Sequence, residues 1–460
     1  MKSRLSITSG EVAAVTGGRI LCGGSGITID DVTTDSREPA DLYIPIIGEN
    51  FDGHDFIEDL YKSRSVKCCL TMKAGYESIA QAAGAGLILC GDTLKALGAL
   101  GRHHREKFRP LMIGVTGTNG KTTTRELIHL ILSSRYKTLR NDKNYNNEIG
   151  VPFTLMQLDD TYGAAVIEMG MNHAGEIERL TDMVRPDIAV ITSIGAGHLE
   201  FLGSVENVAY AKCEIMKSMK PGSTLIANMD TECFHIIERL ASDHGLVTLT
   251  YGLDAGAQVR PESYELTEKS TTVVYKKVKI TVPLYGRHNI HNILAALAVA
   301  ETAGISAAEA ASALSSFENV GGRSEIIHNR YTVIDDTYNS NPLSSLYALE
   351  SVCDVFHKHR KFVALADMKE LGESSALYHI KVGEFVADRK FDGLFLFGEM
   401  SRYYADGAER VGMSPEKIKI FESRDNMSAH LKSFLKEGDV LLVKGSRSMK
   451  MEEVVDSIVK

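Results

Sequence analysis

The segment GVTGTNGKTTT, Gly114 to Thr124, sets two glycines, a lysine and a threonine run between an apolar stretch and a helix-forming one. Gly117 and Gly120 let the backbone turn tightly and bring N–H groups toward a phosphate chain. The helix that follows adds unpaired N–H groups and the positive end of its dipole. Lys121 can then reach β- and γ-phosphates as a point charge, and the Thr122 hydroxyl can complete a Mg²⁺ shell. Thr118, Asn119 and Thr123 make up the rest of the loop, and a nucleoside triphosphate, ATP or GTP, is the implied ligand. The strict Walker spacing fails by one, because the position five before Gly120 is Val115 and Gly114 stands one step further back. The plainer alternative is a Gly-rich strand-to-helix turn with an exposed lysine.

Such a cradle needs a strand to deliver it and a helix to leave from it, and the sequence offers LMIGVTG before and RELIHLILSS after. The alternation continues as AAVIEMG then AGEIERLTDMV, DIAVITSIG then SVENVAYAKCEIMKSM, and STLIANMD. Strand-helix alternation of this kind predicts a mainly parallel sheet covered on both faces. A β-rich patch, VVYKKVKITVPLYG, precedes the helix HNILAALAVAETAG and is assigned to the same unit. After GGRSE the alternation resumes through YTVIDD, KFVALADM, FDGLFLFGE, KIKIFES and DVLLVKGS to a last helix, MEEVVDSIVK. The first hundred or so residues mix short β-like stretches with Gly, Ser and Asp, closing in the polar GRHHREKFRP, Gly101 to Pro110. The expected fold class is α/β in three domains: a small N-terminal α/β domain at 1–107, a central P-loop ATPase-like parallel-sheet domain at 108–318, and a Rossmann-like C-terminal domain at 319–460.

Length supports that division, since 460 residues at roughly 150 per domain give about three. With 44% hydrophobic and 24% charged residues the chain is neither disordered nor fibrous. A net charge of −9 argues against holding nucleic acid on a broad basic surface, so an anionic ligand must meet a local positive site. No stretch approaches the ~20 apolar residues of a membrane span, and the N-terminus does not read as a signal peptide. A cytoplasmic protein without membrane insertion is expected. Seven cysteines without a C-x-x-C pair fit reduced, buried thiols.

The string TGTNGKT, with one extra residue ahead of it, resembles the nucleotide loop of the Mur ligase family, the ATP-dependent amide-forming enzymes of peptidoglycan precursor synthesis. Further matches follow in the family's order: Glu168 at the end of AAVIEMG, His198 in GHLEFLGS, Lys212 in SVENVAYAKCEI, GRHNIHNILAA from Gly286, and Arg323 in GGRSE. NYNNEIGVP, DDTYNSNP, LADMKELG and VKGSRSMKME resemble the members that add D-alanyl-D-alanine. DSR at Asp35 to Arg37 with GENFDGHDF from Gly48 resembles the family's UDP-sugar-binding domain. That domain departs from the pattern at LYIPII and LYKSRSVKCC, where the family usually has a bulkier strand and an A-x-x-x-G-A helix end.

The resemblance implies a reaction in which ATP phosphorylates the terminal carboxylate of UDP-N-acetylmuramoyl-tripeptide, and D-alanyl-D-alanine then displaces phosphate. Lys121, His198, Lys212 and Arg323 are the implied catalytic residues. Thr122 and Glu168 would ligate Mg²⁺, the latter because a strand's C-terminal end faces the phosphate crevice. His198 would serve a second metal. Lys212 shares its helix with Ala209, Ala211 and Ile215, so its stem is expected to be partly buried; a buried amine loses its proton and can react with CO₂. The family carbamylates this lysine. Asn289 and Asn292, three apart on one helix face, belong to the segment the family uses for adenine and nearby phosphates. Arg323 suits the transferring phosphoryl group, and Asp336 the ribose or a phosphate-bound water. Both would come from a C-terminal domain that swings onto the central one.

The same resemblance assigns Tyr338, Asn339, Asn341, Lys444, Ser446 and Arg447 to the incoming dipeptide, and Asn144, Asn146 and Asn147 to the tripeptide-sugar path. Asp35, Ser36, Arg37, Asn50, Asp52, Gly53 and His54 are assigned to the UDP moiety, although turn chemistry alone would also explain them. A monomer is expected, and lysine or diaminopimelate at the third peptide position is left open. Competing readings are a Mur ligase that adds a single amino acid, a folylpolyglutamate synthase-like ligase, which lacks the N-terminal domain, a nucleotide-binding regulator, and a kinase that releases a phosphorylated product.

Overall fold

The computed structural model describes residues 5–48, 50–142, 144–318 and 324–460. Its centre is a six-stranded, all-parallel sheet, ordered Val247–Tyr251, Thr224–Asn228, Ile188–Ile191, Leu111–Thr116, Ala164–Glu168, Thr138–Arg140. The earliest of these six strands in the chain, Leu111–Thr116, therefore lies in the middle, between strands that lead off in opposite directions, and a crevice opens beyond its C-terminal end. Its residues are almost all buried, as are those of Ala164–Glu168 and Ile188–Ile191. This is why they read as continuous apolar runs with no alternation.

The helix Lys121–Ser133 covers one face of this sheet and packs against His288–Thr302, a helix buried from Asn289 to Ala300 with the sole exception of His291. The β-rich patch forms a three-stranded antiparallel sheet, Ser263–Leu266, Thr271–Tyr275 and Val278–Val282. Val273, Ile280 and Val282 pack into the same hydrophobic core as the two helices.

Downstream lies a second six-stranded sheet, ordered Glu325–His328, Thr332–Asp336, Val440–Lys444, Lys361–Ala366, Gly393–Phe397, Ile418–Phe421. Every pairing is parallel except that of the edge strand Glu325–His328, which runs antiparallel to Thr332–Asp336. Thr332–Asp336 and Val440–Lys444 are neighbours in register, with Asp336 opposite Lys444. Residues 337–341 and 445–449 thus leave the same end of the sheet side by side.

Upstream, a five-stranded mixed sheet is ordered Arg19–Cys22, Gly86–Leu89, Val66–Thr71, Ala40–Tyr43, Val32–Thr33. The polar segment GRHHREKFRP begins inside a helix. Gly101 to Glu106 complete a 14-residue helix, Thr93–Glu106, which packs on Gly150–Leu155 and Glu176–Val184. Its polar side chains are spent on the central unit: His104 meets the Leu158 carbonyl at 2.9 Å, Arg105 donates to the Val184 carbonyl at 2.9 Å, and Arg102 to Asp182 at 2.6 Å. All seven cysteines are free thiols; Cys68, Cys69, Cys90 and Cys213 are buried and the other three partly so. No helix among the described residues is long and apolar enough to cross a membrane.

Candidate active site

Strand Leu111–Thr116 delivers the glycine loop to the crevice. Gly117 (φ +145°) and Gly120 (φ +82°) adopt conformations that side chains strain to reach. A Cβ at Gly117 would collide with Thr192, and one at Gly120 with the Asn292 carboxamide. The loop is pinned from outside by the next strand's end: Thr118 N–H donates to the Ser193 carbonyl at 2.7 Å, and Asn119 N–H to the Ser193 hydroxyl at 2.9 Å. Lys121, the first residue of its helix, folds back so that Nζ donates to the carbonyls of Gly117 (2.8 Å) and Thr118 (3.1 Å). Its charge thus sits over the loop.

One cleft of about 1830 Å³ opens beside this loop. It is lined by Thr118, Asn119, Gly120, Lys121, Thr122, Thr123, Asn144, Asn146, Asn147, Glu168, His198, Asn292, Asp336, Tyr338, Asn339, Asn341, Lys444, Ser446 and Arg447. Sequence candidates up to 329 positions apart therefore face one space. Asn289 is buried behind Asn292 and accepts its carboxamide N–H at 2.8 Å. Asn292 in turn accepts from Thr124 at 3.2 Å, so this pair braces the start of the phosphate-loop helix. Arg323 lies outside the described residues.

Glu168 is buried at the end of its strand. Arg125 contacts one carboxylate oxygen at 3.2 Å and Asn146 donates to the other at 2.8 Å, while Asn141 exchanges two hydrogen bonds with the Glu168 backbone. The sequence reading did not single out Arg125 or Asn141. Arg125 reads as an ordinary helix charge, and nothing in its spacing shows that its side chain is 2% exposed. His198, in a left-handed backbone conformation, places Nδ1 2.8 Å from Glu370 of the C-terminal unit. Burial holds the imidazole below its usual pKa, against the opposing pull of Glu370.

Lys212 is buried completely, more deeply than its helix neighbours suggested, and among the described residues its Nζ has no hydrogen-bond partner. Burial, reinforced by the charge of Lys121, pushes its pKa well below that of an ordinary lysine. Glu168, Glu176 and Glu214 act on it in the opposite sense.

On the far wall, Lys444 is 2% exposed and donates to Asp336 at 2.5 Å and to the Asn339 carbonyl at 2.9 Å. Asp336 also accepts from the Ser324 N–H at 3.1 Å. Two residues assigned to different ligands thus satisfy each other. Burial alone would raise the Asp336 pKa, but Lys444 outweighs it and holds the carboxyl below its ordinary value. Removing one partner of such a pair costs about 3–5 kcal/mol. Lys444→Met is therefore expected to lower denaturant stability by that order, with the loss fading as pH falls through the depressed Asp336 pKa, where wild type loses the same contribution. Ser446 bridges outward, its hydroxyl accepting from Lys369 N–H at 2.9 Å and donating to the Ser340 carbonyl at 3.3 Å. Arg447 is 67% exposed and pairs with Glu452, and Tyr338 is exposed.

The N-terminal candidates do not line the cleft. Asp35 and Arg37 form a bidentate pair at 2.8 and 2.6 Å, and Arg37 brings the Asp35 pKa to about 2. Ser36 lies between them. Asp52 joins Lys73 (2.5 Å) to His54 (2.6 Å), and His54, fully buried, accepts from the Met72 N–H. Gly53 packs where a Cβ would press on the backbone of Pro45 and Ile46. Asn50 and Phe51 are exposed beside this turn.

Residues 115–300 match the Mur ligase middle domain, and residues 322–447 the Mur ligase glutamate ligase domain. The UDP-N-acetylmuramoyl-tripeptide--D-alanyl-D-alanine ligase of Bacillus subtilis is 33% identical over 438 residues, 94% of this chain and 93% of that protein. A crystal structure of MurF from Acinetobacter baumannii superposes with a TM-score of 0.89 at 27% identity, covering 99% of both chains. MurF ligase from Thermotoga maritima, in complex with ADP, superposes with a TM-score of 0.80 at 25% identity, covering 93% of this chain and 96% of that one.

Proposed function

The chain belongs to the Mur ligase family, and on that premise we propose that it joins D-alanyl-D-alanine to UDP-N-acetylmuramoyl-tripeptide, converting ATP to ADP and phosphate. The observation that carries this reading is the single cleft in which the glycine loop with Lys121 meets Asn339, Asn341 and Ser446 from the other unit. An enzyme that activates a carboxylate and then presents it to an amine needs both machineries on one space.

The loop N–H groups and Lys121 hold the β- and γ-phosphates and neutralise charge as the γ-phosphoryl group passes to the tripeptide's terminal carboxylate oxygen. ADP leaves, and the acyl phosphate stays shielded between the two units, where hydrolysis is suppressed. The dipeptide amine attacks the acyl carbon, the C–N bond forms, phosphate departs and the amine's extra proton is lost. Asn339, Asn341, Ser446 and Arg447 are the residues proposed to orient the dipeptide, with Arg447 suited to its carboxylate. Lys444 acts through Asp336 and the Asn339 carbonyl, holding that segment in place. Asn144, Asn146 and Asn147 are proposed for the tripeptide-sugar path, and the 35–37 and 50–54 turns for UDP. Arg323 is proposed for the phosphoryl group, and the three domains are proposed to divide near 107 and 318.

Thr122 and Glu168 offer the oxygen donors that Mg²⁺ takes, and His198 stands nearby for a second ion. Among the described residues no three His, Cys, Asp or Glu side chains form a ready metal cage, which suits an ion completed by phosphate oxygens and water. Bound Mg²⁺ would supply charge neutralisation at the transferring phosphoryl group. The unpartnered Lys212 amine fits the carbamate: its nitrogen would bond to the carbon of CO₂ with loss of a proton, turning an orphan donor into an anionic group. The free thiols support a cytoplasmic setting, and a monomer suffices for all these contacts.

The deciding assay is phosphate release from ATP with each substrate alone and with both. Release that requires both, with pentapeptide as product, is the expected result; release with neither, or with glutamate and folate in their place, would refute the reading.

A further inference from the structure

Asn119 makes a contact that gripping phosphate does not require. Its backbone is held within the central unit, the N–H by the Ser193 hydroxyl and the carbonyl by the Thr192 hydroxyl at 2.6 Å. Its side chain reaches instead to the other unit. Asn119 Nδ2 donates to Asn341 Oδ1 at 3.1 Å, and Asn341 Nδ2 donates back to Asn119 Oδ1 at 2.8 Å. Asn341 is fixed in orientation because the same Oδ1 caps the helix Pro342–Val355 through the Ser344 N–H at 2.9 Å. The residues just before it are tied to the neighbouring strand end, Asn339 through Lys444 and Ser340 through Ser446. One reciprocal amide pair therefore fastens the loop that would hold the triphosphate to the segment that would hold the amine.

We infer that Asn119 is a positioning residue for the amine substrate, acting through Asn341; this rests on the ligase activity proposed above. The pair holds residues 338–341 in their substrate-facing arrangement, so the dipeptide does not have to order them on binding. Nucleotide affinity depends on it far less, because triphosphate is gripped by backbone N–H groups and Lys121.

Asn119→Ala and Asn341→Ser test this. Serine keeps the helix cap and is too short to reach Asn119. Each variant is expected to raise KM for D-alanyl-D-alanine about tenfold, the scale of one or two neutral hydrogen bonds, with KM for ATP within about twofold in the Asn119 variant. The double variant should be no worse than about twofold beyond the poorer single one. Equal rises in both KM values for Asn119→Ala, or effects that multiply in the double variant, would overturn the inference. Amide hydrogen exchange on the substrate-free protein gives an independent reading: Asn119→Ala should speed exchange across 338–345 and leave the helix Lys121–Ser133 unchanged. If exchange there does not move, the latch is absent whatever the substrates prove to be. If wild type exchanges as expected but makes no pentapeptide, the ligase reading and the substrate role built on it both fail, while the latch itself stands.

Discussion

Lys121→Ala is expected to lower kcat/KM for ATP by about 10³-fold or more while leaving the fold intact. Phosphoryl transfer draws on positioning and charge neutralisation more than on covalent help, and losing a preorganised cation at the transferring group is worth losses of this order. In this structure the ammonium donates to two loop carbonyls within four residues of its own position. A phosphate oxygen is a far stronger partner than a carbonyl, so the same side chain is expected to turn toward the triphosphate when it binds. Because those carbonyl contacts are local and Lys121 is half-buried, thermal unfolding should shift little. Activity assays and melting curves on the same preparation check this, and a variant within tenfold of wild type would contradict it.

Lys212→Ala is expected to lose about 10²-fold or more in kcat and to regain part of it with short carboxylates such as acetate or propionate. The alanine leaves room where the carbamate would stand, and a small carboxylate can supply the missing anionic oxygens. Lys212→Met separates chemistry from folding. It fills the space without an amine, and replacing a buried polar group by an apolar one of similar volume is often neutral or stabilising, so it should melt no lower than wild type yet be as inactive as the alanine variant without rescue. Full activity in either variant would refute the assigned role. The depressed pKa has a stability consequence as well. An uncarbamylated Lys212 binds its proton more weakly in the folded chain than in the unfolded one, so its contribution to stability rises with pH from the lowered folded pKa up to the unfolded value near 10.4.

The phosphate loop was legible because its chemistry is local: Gly117, Gly120, Lys121 and Thr122, a preceding strand and a following helix lie within one stretch of sequence. The parallel sheets were legible for a related reason, since a strand buried on both faces must be apolar throughout. What the sequence withheld is pairing at a distance. Asn119 and Asn341 stand 222 positions apart, and each by itself reads as a loop asparagine. Asp336 and Lys444 were both singled out, but for separate ligands, because only the parallel register of their strands sets them opposite each other. Lys212 showed its small neighbours, yet complete burial comes from packing that no local pattern encodes. The segment from Gly101 to Glu106 read only as a polar close to the first hundred residues because of its arginines and histidines; the backbone carbonyls that His104 and Arg105 meet lie more than fifty residues downstream. The edge strand Glu325–His328 is four residues long and half-buried, too short to carry a period.

The most direct test of the central claim is the fate of carboxylate oxygen. UDP-N-acetylmuramoyl-tripeptide labelled with ¹⁸O in its terminal carboxylate is incubated with ATP, Mg²⁺ and D-alanyl-D-alanine, and the released phosphate is examined by mass spectrometry. Passage of the γ-phosphoryl group to that carboxylate puts one ¹⁸O into each phosphate for every pentapeptide formed. Pentapeptide accompanied by unlabelled phosphate, or phosphate released without pentapeptide, would contradict it.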